Sequence, residues 1–504
     1  MKQEKGLLRS AGVLLNVSSL PGPYGIGSFS ADAERFLDEI ASMGFTVWQT
    51  LPLTVSGLGN SPYSSVSSFA GNYLYIDPER LYGLVGRAEI EATHYHGEHY
   101  LTDYDFARYA KKKILELAYS RMDEDLKKKV EAFVEKNAFW LPDYAVYMTL
   151  KESFDQKSWL DWDEKSRKYS VALRDSIIKK QADRVYYYYF EQYVFFEQWQ
   201  RIRDYAKGYG IKIFGDLPIY VSLDSADVWS NRSKFLLDKD GKPTLVAGVP
   251  PDYFAKDGQL WGNPIYDYAA MKKDGYKWWT ERLAHALDLY DIVRIDHFRG
   301  LHRYWGVPAD AETAKEGKWY EGPKTELFEA LKKVRPDHLI VAEDLGIIDE
   351  EVEEFVAETG YPGMRVMQFG FDGDPRNKHL PHEYERACVA YTGTHDNDTT
   401  LGWLLSLDEN TRKTALDYVN CDGGYGWASG GGQCRATKAF VRALFSSCAT
   451  LAIVPMQDLC GYGSDTRMNT PGVADGCWRY RTNYAAIDNV DREFIREMIR
   501  IYGR

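Results

Sequence analysis

Three acidic residues follow short apolar stretches of the sequence at matching positions: Asp296, Glu343 and Asp396. Asp216 occupies the same kind of position after a fourth stretch. Two carboxyl groups can cut a glycosidic bond, one as nucleophile and the other, protonated, as the acid on the leaving oxygen. The pattern therefore predicts glycosidic chemistry, provided that the fold brings the acids together.

The stretch around Asp296 indicates how one of these acids is held for attack. Ile292, Val293 and Ile295 predict a short buried strand. Residues two apart on a strand share a face, so Arg294 and Asp296 are expected to point the same way. An adjacent guanidinium favours the ionised carboxylate, which is the form that a nucleophile needs. The same two residues also fit a purely structural ion pair.

Glu343 has surroundings that favour the protonated form of a carboxyl group. It follows the apolar run 340–342, which is expected to desolvate the carboxyl group and raise its pKa. Adjacent strands lie about 4.7–4.9 Å apart, and retaining glycosidases hold their two carboxyl groups roughly 5–5.5 Å apart. If Asp296 and Glu343 end neighbouring strands, their spacing favours a retaining reaction.

A metal site is the competing interpretation of these residues. Side chains that can bind a metal are His297, His395, Asp296, Asp396 and Asp398. A barrel metallohydrolase usually has His-x-His at the end of its first strand, where this chain has Asn16-Val-Ser18. We therefore expect no catalytic metal and no cofactor.

Eight apolar stretches form the predicted framework. They cover 12–17, 46–53, 211–221, the stretch beginning at 291, 339–346, 364–371, the stretch from 388 to its loop at 398, and 451–458. Helical patterns separate most of them, which predicts βαβ units and a parallel sheet. Acids at the carboxyl ends of the strands fit a (β/α)8 TIM barrel with its site on that face. A doubly wound sheet is the alternative, but no GxGxxG follows the first strand.

Two insertions interrupt this framework in the predicted single domain 1–504. Residues 78–196 are charged and helical in pattern, and we expect a helical subdomain there. Residues 222–275 are expected to be loop-rich, with turn signals at Asp240-Gly241 and Asp257-Gly258. Predicted helices at 31–43, 197–207 and 277–290 precede barrel strands.

Composition limits the partners. The net charge of −12 argues against nucleic acid and against an anionic membrane. The 37 Tyr and 14 Trp offer flat apolar faces with polar edges that suit sugars, although an aromatic-rich core gives the same composition. Six cysteines without a CxxC pair favour reduced thiols in a cytoplasm. No run reaches the roughly 18 apolar residues of a membrane span.

Several motifs, in order and spacing, resemble those of the 4-α-glucanotransferases (amylomaltases or disproportionating enzymes), which are barrel relatives of the α-amylases. The resemblance extends nearly from end to end. The motifs that carry it are Ser19-Leu-Pro-Gly-Pro-Tyr-Gly-Ile-Gly27, Ser61-Pro-Tyr-Ser-Ser65, Ala70-Gly-Asn72, Gly215-Asp-Leu-Pro-Ile-Tyr-Val221, Pro250-Pro-Asp-Tyr-Phe254, Gln259-Leu-Trp-Gly-Asn-Pro264, Arg294-Ile-Asp-His-Phe-Arg-Gly300, Ala342-Glu-Asp-Leu-Gly346, Gly393-Thr-His-Asp-Asn397 and Arg467-Met-Asn-Thr-Pro-Gly472.

The resemblance implies roles for individual residues. It implies Asp296 as nucleophile, Glu343 as general acid/base and Asp396 as transition-state stabiliser. The implied sugar contacts are Tyr63, Asp216, Trp261, Arg294, His297, His395 and Asn469. The loop at 250–254 resembles the family's loop over the cleft, where we expect Phe254, or else Tyr253, to stack on an acceptor sugar. The alternative is that both rings only pin the loop to the barrel.

The resemblance also implies the substrates, α-1,4-glucans and maltooligosaccharides, and the reaction, transfer of glucan segments through a covalent intermediate. It separates this chain from α-amylases, since Leu-Pro follows Asp216 and about 45 residues after the last strand leave no room for a C-terminal β-domain. Cys477 stands where the family often has Asn. The carboxylates alone leave an amylase-type hydrolase open, and a non-catalytic glucan-binding protein is a third hypothesis. We expect a cytoplasmic monomer or homodimer.

Overall fold

The structure is a computed structural model that describes residues 7–81, 83–251, 256–346, 348–473 and 475–504. The strands of this part of the chain are β1 Ser10–Leu14, β2 Val47–Gln49, β3 Lys212–Leu217, β4 Leu245–Val249, β5 Gln259–Pro264, β6 Ile292–Ile295, β7 Arg303–Pro308, β8 Lys318–Glu321, β9 Ile340–Ala342, β10 Gly363–Val366, β11 Cys388–Tyr391 and β12 Leu451–Pro455.

The α-helices of the same residues surround these strands or fill the insertions. They are α1 Ala31–Ser42, α2 Arg87–Glu91, α3 Tyr104–Ser120, α4 Glu124–Lys136, α5 Leu141–Ser153, α6 Glu164–Arg167, α7 Val171–Lys180, α8 Ala182–Gly208, α9 Ala226–Ser230, α10 Tyr268–Lys273, α11 Lys277–Leu289, α12 Thr325–Val334, α13 Glu350–Thr359, α14 Thr400–Ser406, α15 Glu409–Tyr418, α16 Arg435–Ser446, α17 Met456–Leu459, α18 Tyr484–Asp488 and α19 Arg492–Tyr502. No helix of the described residues is long and apolar enough to cross a membrane.

Eight parallel strands form the central sheet, in the order β10-β11-β12-β1-β2-β3-β6-β9. The two end strands also meet, because Ala342 at the end of β9 donates its N–H to the carbonyl oxygen of Pro362, 2.9 Å away and next to β10. The sheet therefore closes on itself, and the predicted (β/α)8 barrel is confirmed. All residues of β6, β9, β10, β11 and β12 are buried, as expected for parallel strands covered on both faces.

The strands are shorter than the apolar stretches that predicted them. The stretch 46–53 contains only the three-residue strand β2. Strand β10 begins one residue before the stretch 364–371 and gives way at Met367 to a 3-10 turn. Leu51 and Leu53, beyond β2, stay buried, whereas Phe369, beyond β10, is 45% exposed. An apolar run therefore does not show where a strand ends.

The insertion between β2 and β3 is helical, from α2 to α8. Helix α8 begins at Ala182, although the sequence predicted a helix only from 197. Four consecutive residues of α8, Tyr187, Tyr188, Tyr189 and Phe190, are buried. A helix that is buried on all sides shows no amphipathic period, so its first half gave no periodic signal.

A four-stranded antiparallel sheet stands beside the barrel mouth, in the order β5-β4-β7-β8. Strands β4 and β5 lie within 222–275, so the expectation of a loop-rich insertion was wrong for these segments. The turn signal Asp257-Gly258 lies in the connection of a β4–β5 hairpin. The other two strands come from the segment after β6, where no insertion was predicted.

Candidate active site

The carboxyl ends of the barrel strands bring the predicted acids to one place. Asp216 and Arg294 are direct neighbours in the pairing of β3 with β6, and Arg294 faces Val341 of β9. Asp296 and Glu343 each follow the last residue of their strand by one position. The prediction that Asp296 and Glu343 end adjacent strands is therefore confirmed.

Arg294 joins two of the acids. Its Nη1 lies 2.6 Å from Asp216 Oδ2, and its Nη2 lies 2.8 Å from Asp296 Oδ1. The Asp216 side chain is fully buried, whereas the Asp296 side chain keeps 30% of its surface exposed. The shared guanidinium thus holds Asp296 at the carboxyl end of β6 with Oδ2 outside the ion pair.

Tyr63 covers Asp216 from the side of the cleft. Its hydroxyl group donates to Asp216 Oδ2 at 2.7 Å, and its ring stacks on the His395 ring at 5.1 Å. The Trp478 ring lies within 6.0 Å of both rings. Burial, followed by the charge of Asp216, raises the pKa of Tyr63 well above its usual value, so the hydroxyl group remains a donor.

Glu343 lies in a different environment. Its Oε2 accepts from the backbone N–H of His297 at 2.6 Å, and its Oε1 accepts from that of Leu345 at 2.9 Å. Burial raises the pKa of Glu343, as the preceding apolar strand predicted, while Arg294 and the two N–H groups oppose this rise. Among the described residues, Glu343 forms no ion pair within 4 Å.

Asp296 lies close to three other carboxyl groups, and Glu343 is one of those that disfavour its ionisation. Burial raises the pKa of Asp296, Arg294 lowers it, and the charges of Asp216, Glu343 and Asp396 raise it again. Asp296 is partly exposed and directly paired with Arg294, and both features favour its ionised form.

His297 turns the chain at the end of β6. It adopts the left-handed conformation, with φ at 49°, and its N–H contacts Glu343. Burial lowers the pKa of the imidazole to about 3, so the ring is neutral at physiological pH. The Trp261 ring meets it edge to face at 4.9 Å and is 37% exposed, as expected of a ring that forms one wall of a cleft.

Asp396 lies on the loop that follows β11. Asn469 Nδ2 donates to Asp396 Oδ1 at 2.6 Å, and Arg467 Nη2 donates to the Asp396 carbonyl oxygen at 2.6 Å. His395 Nε2 lies 3.3 Å from Asp396 Oδ2, and burial lowers the pKa of His395. The carboxylate keeps 41% of its surface exposed and so can reach a bound substrate.

The structure adds three residues that sequence reasoning did not assign: Arg467, Trp478 and Asp458. Asp458 is buried and accepts from Thr392 Oγ1, Thr400 Oγ1 and Thr400 N at 2.6–2.7 Å. These three donors flank the loop that carries His395 and Asp396. The apolar stretch 451–458 ends at Asp458. This position of an acid at the end of an apolar stretch is the sequence signal that could have identified the residue.

Two expectations remain untested at this site. Phe254 and Tyr253 lie outside the described residues, so the contact of either ring with an acceptor sugar stays a prediction. Within the described ranges, no three His, Cys, Asp or Glu side chains are arranged to hold a metal ion. The expectation of metal-independent chemistry also stays a prediction.

Comparison with known proteins assigns the family. A family model described as 4-alpha-glucanotransferase matches residues 15–486. The chain belongs to the 4-alpha-glucanotransferase family. A 4-alpha-glucanotransferase of Aquifex aeolicus is 42% identical over 504 residues, covering 99% of this chain and 100% of the relative. The chloroplastic/amyloplastic enzyme of Solanum tuberosum is 39% identical over 520 residues, covering 100% of this chain and 88% of the relative.

Solved structures agree with this assignment. The amylomaltase of Streptococcus agalactiae, in complex with acarbose, matches with a TM-score of 0.93 at 35% identity, covering 98% of this chain and 99% of that one. The family resemblance is therefore confirmed. So is the predicted reaction, transglycosylation of α-1,4-glucans, over the amylase-type hydrolase that the carboxylates alone left open.

Proposed function

We propose that this 4-alpha-glucanotransferase works as a retaining enzyme, with Asp296 as nucleophile and Glu343 as general acid/base. One observation supports this division of roles above all. Arg294 contacts Asp296 directly, whereas Glu343 is buried without an ion pair among the described residues. When the environments of two carboxyl groups give them different pKa values, one group suits the role of nucleophile and the other the role of acid.

The first half-reaction forms the covalent intermediate. Asp296 Oδ2 attacks C1 of the donor glucose, the bond from C1 to the glycosidic oxygen breaks, and that oxygen takes the proton of Glu343. In the second half-reaction the 4-hydroxyl oxygen of an acceptor glucan attacks C1. The ester bond to Asp296 breaks, and Glu343 takes the proton of the acceptor hydroxyl group.

The remaining residues support this exchange. Asp396 is open to the cleft and stabilises the positive charge that develops on the sugar ring. Tyr63, Trp261, His297, His395 and Asn469 line the place of the reacting sugar. Asp216 is fully buried beneath Tyr63, so its proposed contribution is to hold Arg294.

Substitution of each acid tests the assignment. We expect Asp296→Asn to abolish transfer from maltotriose without loss of the fold, because the amide is nearly isosteric but cannot form the ester. Glu343→Gln is expected to retain formation of the intermediate from an α-maltosyl fluoride, whose leaving group needs no acid. Mass spectrometry of the denatured protein would then show an adduct on the peptide that contains Asp296. An adduct elsewhere, or more than a few per cent activity in Asp296→Asn, would contradict the proposal.

Reaction products give the complementary test. Maltotriose should yield glucose and longer oligomers, with retention of the α-anomer by NMR. Glucose and maltose alone would indicate hydrolysis. The oligomeric state and a cytoplasmic location remain part of this proposal, and light scattering of the purified protein would distinguish the monomer from the homodimer.

A further inference from the structure

The two ends of the barrel sheet meet beside Glu343. Strands β9 and β10 are the end strands of the pairing order, and we call the line where they meet the seam. The backbone hydrogen bond from Ala342 to Pro362 crosses this seam at 2.9 Å. Glu343 follows β9 directly, and its N–H donates to the Ile295 carbonyl oxygen of β6 at 3.1 Å. The backbone of Glu343 is thus fixed to β6, and the seam lies on its other side.

Asp344 crosses the seam with its side chain. Its Oδ1 accepts from the backbone N–H of Met364 at 2.6 Å, and its Oδ2 accepts from Arg365 Nη1 at 2.9 Å. Both side chains of this ion pair are buried. The two carboxylate oxygens of Asp344 therefore bind β10, the strand on the far side of Glu343 from β6.

Gly363 allows this close approach. A Cβ atom at position 363 would collide with the Asp344 carboxylate, so a larger residue there would displace it. Arg365 Nη1 also donates to the Met364 carbonyl oxygen at 2.6 Å, which holds the guanidinium against its own strand. The carboxylate is therefore seated against three consecutive residues of β10, from Gly363 to Arg365.

Contacts on both sides of the seam connect Asp344 to the reacting groups. Asp344 lies between Glu343 and Leu345, whose N–H donates to Glu343 Oε1 at 2.9 Å. On the β10 side, Met364 Sδ accepts from Nε of Arg294, the partner of the proposed nucleophile, at 3.4 Å. A change at Asp344 therefore reaches the catalytic acid directly and the shared guanidinium through Met364.

The charge of Asp344 also acts on Glu343. Burial raises the pKa of Glu343 most, Arg294 lowers it, and Asp344 adds to the rise. Arg294 and Asp296, at the end of β6, are the groups that face Glu343 from the other side. His379 lies near Asp344, but burial lowers its pKa to about 4, so it is neutral at physiological pH. Asp344 thus adds negative charge on the β10 side of the acid.

We propose that Asp344 is a positioning residue for Glu343, which it fixes to β10 and whose protonated form its negative charge favours. Glu343 must carry a proton to act as the acid on the leaving oxygen, so a negative neighbour supports that role. Asp344 acts through Glu343, because both of its own oxygens are engaged with β10. This inference rests on the proposed role of Glu343 and deepens it by naming the residue that holds the acid.

Asp344→Asn tests the charge. The amide keeps an oxygen that can accept from Met364, but Arg365 loses its partner and leaves a positive charge near Glu343. The pKa of Glu343 should then fall, so the basic limb of kcat/KM for maltotriose is expected to move to lower pH. At the optimum, kcat/KM should fall roughly tenfold, a fraction of what general acid catalysis contributes.

α-Maltosyl fluoride separates an effect on the acid from a general defect. Its leaving group needs no proton, so kcat/KM for the fluoride should stay within about twofold of the wild-type value in Asp344→Asn. A merely structural role predicts equal losses on the fluoride and on maltotriose. The ratio of the two constants is therefore the decisive measurement.

The double variant Asp344→Asn/Arg365→Gln removes the whole ion pair. Removing both charges avoids an unpaired buried charge, so this variant decides the question if Asp344→Asn does not fold. Its basic limb should lie between those of the single variant and the wild-type protein. Maltotriose should still lose more activity than the fluoride, because Glu343 has lost its charged anchor on β10.

Asp491→Asn is the matched control. Asp491 likewise accepts from a backbone N–H, that of Phe494 at 3.1 Å, and pairs with a cation, Lys438 at 2.6 Å. It stands at the start of α19 instead of beside a catalytic residue. Neither the basic limb nor the ratio of the two substrates should change in this variant.

An unmoved basic limb in Asp344→Asn, a limb that moves to higher pH, or equal losses on the two substrates would overturn the proposal. Full activity of Glu343→Gln on maltotriose would instead refute the role proposed for Glu343 itself. The two failures are therefore distinguishable.

Discussion

Asn469 holds Asp396 through a hydrogen bond of 2.6 Å between Nδ2 and Oδ1. The backbone N–H of Asn469 also donates to the His395 carbonyl oxygen at 3.1 Å. Loops from two different strands, β11 and β12, thus fix each other across the barrel mouth. The position of the third acid therefore depends on a residue 73 positions away in sequence.

Asn469→Ala is expected to lower kcat/KM for maltotriose about 10- to 100-fold, since a hydrogen bond to a charged group contributes about 1.5–3 kcal/mol. The melting temperature should change little, because both partners are close to water. Steady-state kinetics and calorimetry check this. A large loss of stability with unchanged kinetics would show that the contact is structural only.

Much of this site could be predicted from the sequence, because a parallel barrel brings the carboxyl ends of its strands close together even where they are far apart in the sequence. Asp296, Glu343 and Asp396 each follow a buried run, and parallel strands bring such positions to one edge. Trp478 could not be placed in this way, because its contact with Tyr63 depends on how an irregular segment folds over the mouth. The small sheet was hidden for a related reason, since its hairpin turns gave the same signals as loops.

The ionisation of Asp296 gives a pH prediction. The carboxylate of Asp216 raises the pKa of Asp296 by like-charge repulsion. Asp216→Asn removes that charge, so the pKa of Asp296 should fall and the acidic limb of kcat/KM should move to lower pH. The maximum rate should fall as well, because Arg294 loses a partner.

Tyr63→Phe is the control for this pH prediction. It removes the hydrogen bond to Asp216 but keeps the charge, so the acidic limb should stay close to that of the wild-type protein. The measurement is kcat/KM against pH with maltotriose. Movement of the limb to higher pH in Asp216→Asn would contradict the assignment of Asp296 as the group that must ionise.

Metal independence gives the third prediction. The acidic side chains of the cleft contact Arg294, Asn469 and backbone N–H groups of the protein itself. We expect full activity after exhaustive treatment with a chelator and dialysis into metal-free buffer. Loss of activity that one specific divalent cation restores would show that a metal site exists after all.

Asp458 provides the last prediction. Its two oxygens accept from Thr392 at the end of β11 and from Thr400 at the start of α14. A single buried carboxylate therefore holds both ends of the loop that carries His395 and Asp396. Burial raises the pKa of Asp458, and its three hydrogen bonds oppose that rise.

Asp458→Ala is expected to cost about 3 kcal/mol of unfolding free energy, because each unsatisfied buried donor costs about 1–3 kcal/mol. Asp458→Asn keeps one acceptor oxygen and should cost less, which makes it the informative variant. If Asp458 positions the loop, kcat should fall in Asp458→Asn while KM stays nearly constant, since Asp396 acts mainly on the transition state.

Ser464→Ala is the comparison variant, because it removes a hydrogen bond of 2.7 Å from Ser464 Oγ to Asp398 Oδ2 in the same loop but leaves both ends of the loop held by Asp458. It should leave kcat unchanged. Denaturant unfolding and maltotriose kinetics measure both effects for each variant. If Asp458→Asn lowers stability and its kcat matches that of Ser464→Ala, Asp458 only stabilises the fold, and the placement of Asp396 depends on Arg467 and Asn469.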